Sequence, residues 1–374
     1  MVLLSAVLVA HVAVLDGKAM LAPARGGTIV ASRNAAVLAG DTIWTQPGSR
    51  AEIEFDPNVA LRLDGGSRAL IVGLAYGRRE IRLEAGQVAA SMLREDDAPQ
   101  IDAPQVTLRA TKPGLYRIAV AAGQTIVDVR RGSMLIGTPN GTQVLGPGEE
   151  VSIGGSASQP DLQYGTAPPT DAFDAYNATL DAALLAASTD RRLPSALAGY
   201  ANLQAYGTWL TLKPYGIVWQ PNEYGGWAPY HLGRWFWRSE TGWMWIARES
   251  WGWLTYHYGA WAYDATHGWV WVAPRARAPA WSPANAVFFT LATAGRTTSI
   301  GWLPLAPSEA FHAHLSQYRN AAARGGITTI GVSDFYSGNF SRLSTPPSGS
   351  LPGGAHLTAP APPRRSQSAP SSNR

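Results

Sequence analysis

Cysteine is absent from the 374 residues, which removes disulfide staples, thiolate nucleophiles and cysteine-type zinc sites together. Charge is sparse, at 15% of residues, and what there is does not make a nucleic-acid footprint. The formal net charge of +4 leans on Arg364, Arg365 and Arg374 near the C-terminus, so the rest of the chain is near neutral and no nucleic-acid partner is expected. The apolar N-terminal stretch Met1 to Ala10 is too short to cross a bilayer, and no transmembrane span is expected. HExxH, Walker A, GxGxxG and GxSxG patterns are all missing. No catalytic residue, cofactor or metal is therefore assigned, and the chain reads as a non-enzyme.

Apolar residues make up 46% of the sequence, and 39 glycines and 27 prolines break it every few residues. That composition buries a sizeable core divided among two or three domains, and it suits short strands joined by tight turns. The predicted fold class is mainly β. Residues 1–8 read as the remnant of a signal peptide whose start lies upstream, the alternative being a first strand of the next domain.

From Val9 to about residue 155 apolar and polar residues alternate. Ala51, Ile53 and Phe55 interleave with Glu52 and Glu54, Leu61 and Leu63 flank Arg62, and Ile81 and Leu83 flank Arg82. Period two predicts half-buried strands, with Glu52 and Glu54 on the exposed side. Asp16-Gly17, Asp64-Gly65-Gly66, Asn140-Gly141 and Pro147-Gly148 supply turn chemistry between them. About ten strands fit, as a β-sandwich or wound β-roll. Residues 156–170 are rich in Gly, Ser and Pro and read as a linker. A helical connector over 171–200 follows, capped by Thr170 or Asp171, with Phe173, Tyr176, Leu180 and Leu184 as its apolar stripe.

Several of these segments resemble the FecR domain in order and spacing: Gly40-Asp41-Thr42-Ile43-Trp44-Thr45, Leu63-Asp64-Gly65, Leu83-Glu84-Ala85-Gly86, Val127 to Gly132 and Leu145-Gly146-Pro147-Gly148-Glu149. The resemblance spans residues 9–155. It implies a periplasmic domain of the kind that relays a signal from an outer-membrane receptor to an anti-sigma factor. Regulators of that family carry a cytoplasmic helix bundle and a membrane span ahead of the domain, and this sequence displays neither, so the resemblance speaks more to fold and compartment than to signalling.

Tryptophan is the most unusual feature. Thirteen of the 15 fall between Trp209 and Trp281, on a 26-residue repeat. Trp227, Tyr230, His231, Gly233, Trp235, Gly242, Trp243 and Trp245 recur as Trp253, Tyr256, His257, Gly259, Trp261, Gly268, Trp269 and Trp271. An earlier, decayed copy keeps Gly207, Trp209, Gly216 and Trp219, with Ile217 in place of one tryptophan. Each copy reads as a hairpin, Trp235 to Trp237 returning through Trp243 to Trp245, with those four rings on one face. Burying one tryptophan removes roughly 200 Å² from water, worth up to about 5 kcal/mol, so most of the rings are expected inside. A few remain for recognition, and the residues assigned to binding are Trp235, Trp237, Trp243, Trp245, Tyr256, His257, Trp261, Trp269 and Trp271. His231 and His257 occupy equivalent positions, where the alternatives are a metal pair and a structural hydrogen bond to a backbone carbonyl or tyrosine hydroxyl within each repeat.

Tyr206-Gly-Thr-Trp209, Tyr215 to Trp219, Trp251 to Trp261 and Gly301 to Pro307 resemble an uncharacterised family of tryptophan-rich bacterial envelope proteins whose members often carry a FecR-like domain in front. The domain is expected over 201–308, closed by strands at Val287–Leu291 and Ser299–Leu303. A short helix and strand extension follows over 309–344, and residues 345–374, rich in Pro, Ser and Ala, read as a disordered tail. The expected function is binding or scaffolding in the periplasm or at the cell surface, with a glycan or an envelope protein as partner. The alternatives are a FecR-type sensor or signal-relay component and a glycan-active enzyme. The enzyme would need paired carboxylates, and Glu223, Glu240, Glu249 and Asp264 are the only acids in the repeat core.

Overall fold

The computed structural model describes residues 9–75, 77–95, 98–190, 192–193, 197–276, 279–307, 309, 318, 325–346 and 355–363. Residues 1–8, read as a signal-peptide remnant or a first strand, and the helix expected between Ser308 and Ala322, with His312 and His314, lie outside them. Strands hold 51% of the chain and helices 13%, the mainly-β class expected. No helix among the described residues is long and apolar enough to cross a membrane. The chain divides into two compact units. One comprises residues 1–206, 250–254 and 275–281, and the other 207–249, 255–274 and 282–374.

In the first unit seventeen strands, rather than about ten, form two sheets that share one long strand. The excess comes from two-residue strands and from strands the sequence hides. One sheet runs β4 (Ala36–Val37), β1 (Ala10–Asp16), β6 (Arg50–Asp56), β7 (Val59–Leu63), β9 (Arg78–Met92), β12 (Gly114–Ala121), β13 (Gln124–Arg131), β16 (Glu149–Ser156) and β17 (Gln159–Thr166). The other runs β3 (Ile29–Val30), β2 (Ala19–Ala22), β5 (Thr42–Thr45), β8 (Arg68–Ala75), the first half of β9, β10 (Gln100–Ala103), β11 (Val106–Ala110), β14 (Met134–Thr138) and β15 (Gly141–Leu145). The chain winds between them a hairpin at a time, which is the rolled sandwich foreseen. Gly86 marks where β9 passes from one sheet to the other: its φ is +81°, and a Cβ there would sit 2.4 Å from the Ser67 Cα, so only glycine turns this corner. Ile53, Leu61, Ile71, Ile81, Val88, Ile118, Val127 and Ile136 fill the interior.

Two expectations are corrected here. Most of the presumed linker is β17, paired along its length with β16; its alternating Pro160, Leu162 and Tyr164 were masked by neighbouring Gly and Ser. Glu52 and Glu54 are buried rather than exposed, because the outer face of their sheet is covered. Helix α1 (Ala172–Thr189), capped by Asp171 in a capping box with Asp174, helps cover it. Besides Phe173 and Leu184 the helix buries Asp174, Asn177 and Asp181. Asp174 meets Arg117 at 2.8 Å and Arg130 at 3.1 Å, and Asp181 meets Arg62 at 2.7 Å and Arg131 at 2.6 Å. Glu52 takes the other side of Arg62 at 2.7 Å. Glu54 accepts from the Gly199 N–H at 3.1 Å ahead of α2 (Tyr200–Tyr206). Residues 250–254 add Trp253, whose ring stacks on His11 at 4.4 Å and whose backbone N–H donates to Asn34 Oδ1 at 3.1 Å.

The second unit is built on the repeat. Its hairpins are β18 (Gly207–Leu212) with β19 (Gly216–Pro221), β20 (Gly233–Arg238) with β21 (Gly242–Ala247), and β22 (Ala260–Asp264) with β23 (Gly268–Val272). Trp209 faces Trp219, Trp235 faces Trp245 and Trp261 faces Trp271, a register that the 26-residue spacing dictates. Gly216, Gly242 and Gly268 turn the hairpins with φ of +80°, +81° and +75°. A second glycine set explains how the rings fit. A Cβ on Gly207 would meet the Trp219 ring at 2.4 Å, on Gly233 the Trp245 ring at 2.4 Å, and on Gly259 the Trp271 ring at 2.8 Å. Each glycine therefore clears backbone for a tryptophan twelve residues on to lie across it. Strands β24 (Ala286–Thr293) and β25 (Arg296–Pro304) pair as foreseen, flanked by β26 (Thr328–Gly331) and, unexpectedly, by β27 (Ala355–Leu357) from the presumed disordered tail. Three residue pairings place it on the edge of β24.

Candidate functional site

Seven of the nine residues assigned to binding are core. Trp235, Trp245, Tyr256, His257, Trp261, Trp269 and Trp271 are buried, and a ring packed on other rings cannot stack on an external ligand. Trp235 and Trp245 lie 5.3 Å apart edge-to-face, and each packs on Trp302. Trp237 and Trp243 keep partial exposure. The array is thus mainly the hydrophobic centre of its own unit.

The repeated Tyr and His residues are part of that centre. His257 Nδ1 lies 2.8 Å from the Ser282 carbonyl, and His231 bonds the Gly325 carbonyl. Burial lowers both imidazoles to about 4. Each ring thus serves a backbone carbonyl, although the carbonyl lies outside the histidine's own repeat. Tyr256 donates its hydroxyl to Glu249 Oε1 at 2.9 Å, and the Trp227 indole N–H approaches the same oxygen at 3.4 Å. Burial pushes the Glu249 carboxyl up to about 7.

A recess lies at one end of the hairpins. It measures about 430 Å³, within the size range of small-ligand clefts. The end of β19 supplies Gln220 and Pro221, the following loop supplies Glu223, Tyr224, Gly225, Gly226 and Trp227, and the β22–β23 turn supplies Tyr263, His267, Gly268 and Trp269. Tyr224 is 64% exposed and Tyr263 36%, while Trp227 and Trp269 are buried: Trp227 meets Trp261 at 5.3 Å, and Trp269 backs the Tyr263 ring edge-to-face at 5.6 Å.

The polar part is held rigidly. Asp264 Oδ1 accepts from the Thr266 and His267 backbone N–H groups, both at 2.9 Å, and from His267 Nδ1 at 2.8 Å. These bonds, the His267 side chain first, hold the Asp264 carboxyl below its ordinary value. An ionised carboxylate only accepts, so Nδ1 carries the proton and a neutral His267 presents Nε2 as an acceptor. Gln220 fixes the turn by donating Nε2–H to the His267 carbonyl at 2.6 Å. The recess therefore offers two tyrosine rings with hydroxyls, the Glu223 carboxylate and one oriented imidazole.

Of the residues assigned from sequence, only Trp269 lines this recess. Tyr224, Tyr263, Glu223 and His267 line it as well and were not among the residues assigned to binding. The usable signal was departure from the repeat: Tyr263, Asp264 and His267 stand where the preceding copy has Trp237, Arg238 and Thr241.

With both units laid out, the wound sandwich of the first finds its counterpart among known families. Residues 41–135 match the FecR protein family. The FecR match covers the central strands of the first unit, and residues 200–309 match the family of unknown function DUF6600, which contains the recess except Gly325. No curated protein matches the chain. Two crystal structures of a candidate anti-sigma factor from Parabacteroides distasonis are similar at 13% and 15% identity, with TM-scores of 0.30 and 0.29. In each case 33% of this chain is covered, and it spans only 59% of the other.

Proposed function

We propose that the chain is a non-catalytic binding protein of the bacterial envelope whose tryptophan-rich unit takes a saccharide in the recess between Tyr224 and Tyr263. The observation that carries the reading is the pairing of two exposed tyrosine rings, Tyr224 and the Trp269-backed Tyr263, with the polar groups of Glu223 and His267. The C–H face of a pyranose carries partial positive charge and suits the negative face of an aromatic ring. Its hydroxyls suit acceptors such as Glu223 and His267 Nε2. Binding without turnover fits the chemistry, since the bonds on Asp264 favour a fixed acceptor over a general acid, which must hold a proton near neutral pH. FecR-family proteins are envelope-associated, where saccharide polymers are plentiful.

Calorimetric titration of the full chain with peptidoglycan fragments and neutral oligosaccharides tests this. Tyr224→Ala and Tyr263→Ala are expected to weaken binding about tenfold each, for a loss of roughly 1.4 kcal/mol, without moving the melting temperature. Absence of saturable binding to any saccharide would sink the reading.

The FecR match favours a second reading, signal relay. At the sheet edges β17 pairs only with β16 and β15 only with β14 among the described residues, leaving rows of backbone groups that an extended receptor segment could extend by strand addition. Capture of such a segment, lost when proline is placed in β17, is the test.

A further inference from the structure

The segment that departs most from expectation is 355–363. After β27 pairs with β24, the chain continues as Thr358-Ala359-Pro360-Ala361-Pro362-Pro363. Pro360 is buried, and two neighbouring carbonyls are captured by aromatic donors. The Trp243 indole N–H donates to the Pro360 carbonyl at 3.0 Å, and the Tyr336 hydroxyl donates to the Ala361 carbonyl at 3.1 Å. Trp243, Phe335 and Tyr336 form one aromatic wall: Phe335 lies 4.7 Å from Trp243 and 5.4 Å from Tyr336, ring centre to ring centre. Phe335 and Tyr336 come from helix α3 (Val332–Ser337), and Trp243 is the second residue of the return strand of the second hairpin.

This is the chemistry that recognises extended proline-rich chain. Residues before proline are pushed to extended backbone, and a polyproline conformation has no internal hydrogen bonds, so its carbonyls stay free for donors on a partner. Aromatic side chains that pair a flat apolar face with one N–H or O–H donor match that pattern. Tyr336 remains 39% exposed with the segment in place, so the wall is reachable from solvent.

We propose that the Trp243–Phe335–Tyr336 wall is a binding groove for proline-rich extended peptides, filled here in cis by residues 358–363 and open to such a segment in trans when the tail lifts. The proposal is independent of the saccharide reading, because no residue of the wall lines the recess.

A synthetic, fluorescein-labelled peptide of residues 355–363 is the probe, followed by fluorescence polarisation. Pro360→Asp in the full chain places a charge in the buried seat and vacates the groove. Saturable binding to that variant is expected, at tens of micromolar or somewhat weaker. Binding to the unmodified chain should be at least tenfold weaker, because the tethered tail competes at an effective concentration in the ~mM range. Trp243→Ala added to Pro360→Asp should abolish binding, and Tyr336→Phe, which removes only the hydroxyl, should weaken it about fivefold. A folded Pro360→Asp chain that ignores the peptide overturns the proposal, as does binding unaffected by Trp243→Ala. Should Pro360→Asp not fold, Pro360→Ala with the same peptide decides by the same criteria.

Discussion

Arg62 is the side chain whose removal the structure prices most clearly. Its guanidinium is fully buried on β7 between Glu52 and Asp181, 2.7 Å from each, and reaches the Asn177 carbonyl at 3.2 Å. Arg62→Met keeps most of the volume and deletes the charge. Asp181 would retain Arg131 and the Ser91 hydroxyl, at 2.6 Å each, but Glu52 would lose the cation that opposes the upward push of burial on its carboxyl. Breaking a buried pair from one side costs about 3–5 kcal/mol. At 2–4 °C per kcal/mol for a unit of this size, the melting point should fall by roughly 6–20 °C. Adding Glu52→Gln should return about 1–3 kcal/mol, the coupling expected of direct partners. The assay is urea unfolding with amide exchange read on α1, which reports the first unit separately. The exposed pair Arg68–Glu84 serves as control, where Arg68→Ala should cost no more than about 0.5 kcal/mol. Loss of less than 1 kcal/mol in Arg62→Met would refute the view that this cluster clamps the helix to the sheet.

Other consequences can be measured directly. Glu249 has its folded pKa raised to about 7, so it favours the folded state fully below its unfolded value near 4.5 and loses that contribution as pH climbs through 7. Urea midpoints at pH 5 and pH 8 should therefore differ more in the natural chain than in Glu249→Gln, and an unchanged difference would contradict the assignment. Asp128, raised to about 6 by burial and by Glu150, behaves the same way over a lower window, and Asp128→Asn should flatten it. Gly233→Ala forces a methyl onto the Trp245 ring and should cost about 1–3 kcal/mol, whereas Gly225→Ala, which has open space, should be near neutral; equal melting of the two would deny the ring-over-glycine packing.

Features carried by short-range spacing were legible in the sequence. The 26-residue period fixed three hairpins and their Trp–Trp registers because glycine and tryptophan positions set each turn locally. Alternation and turn glycines likewise revealed the sandwich. What stayed hidden depended on partners distant along the chain. The acidic face of α1 looks like ordinary helix-start chemistry until Arg62, Arg117 and Arg130, 44 to 119 residues away, are brought beneath it. Glu52 and Glu54 read as surface for the same reason. The tail segment 355–363 has no periodicity to detect, since its order comes from β24 and from Trp243. The recess went unseen because Tyr224, Tyr263 and His267 sit where the repeat breaks, and counting identities draws the eye to what is repeated.

The glycine that clears room for its tryptophan makes each hairpin a self-fastening cassette. Fastening uses only the glycine at or just before the start of the first strand and the second strand's ring, so the residues at the tip take no part in it. Tips can diverge in sequence while the clasp stays constant, as Lys213-Pro214-Tyr215, Ser239-Glu240-Thr241 and Ala265-Thr266-His267 have done. Such a scaffold separates what must be inherited from what is free to vary.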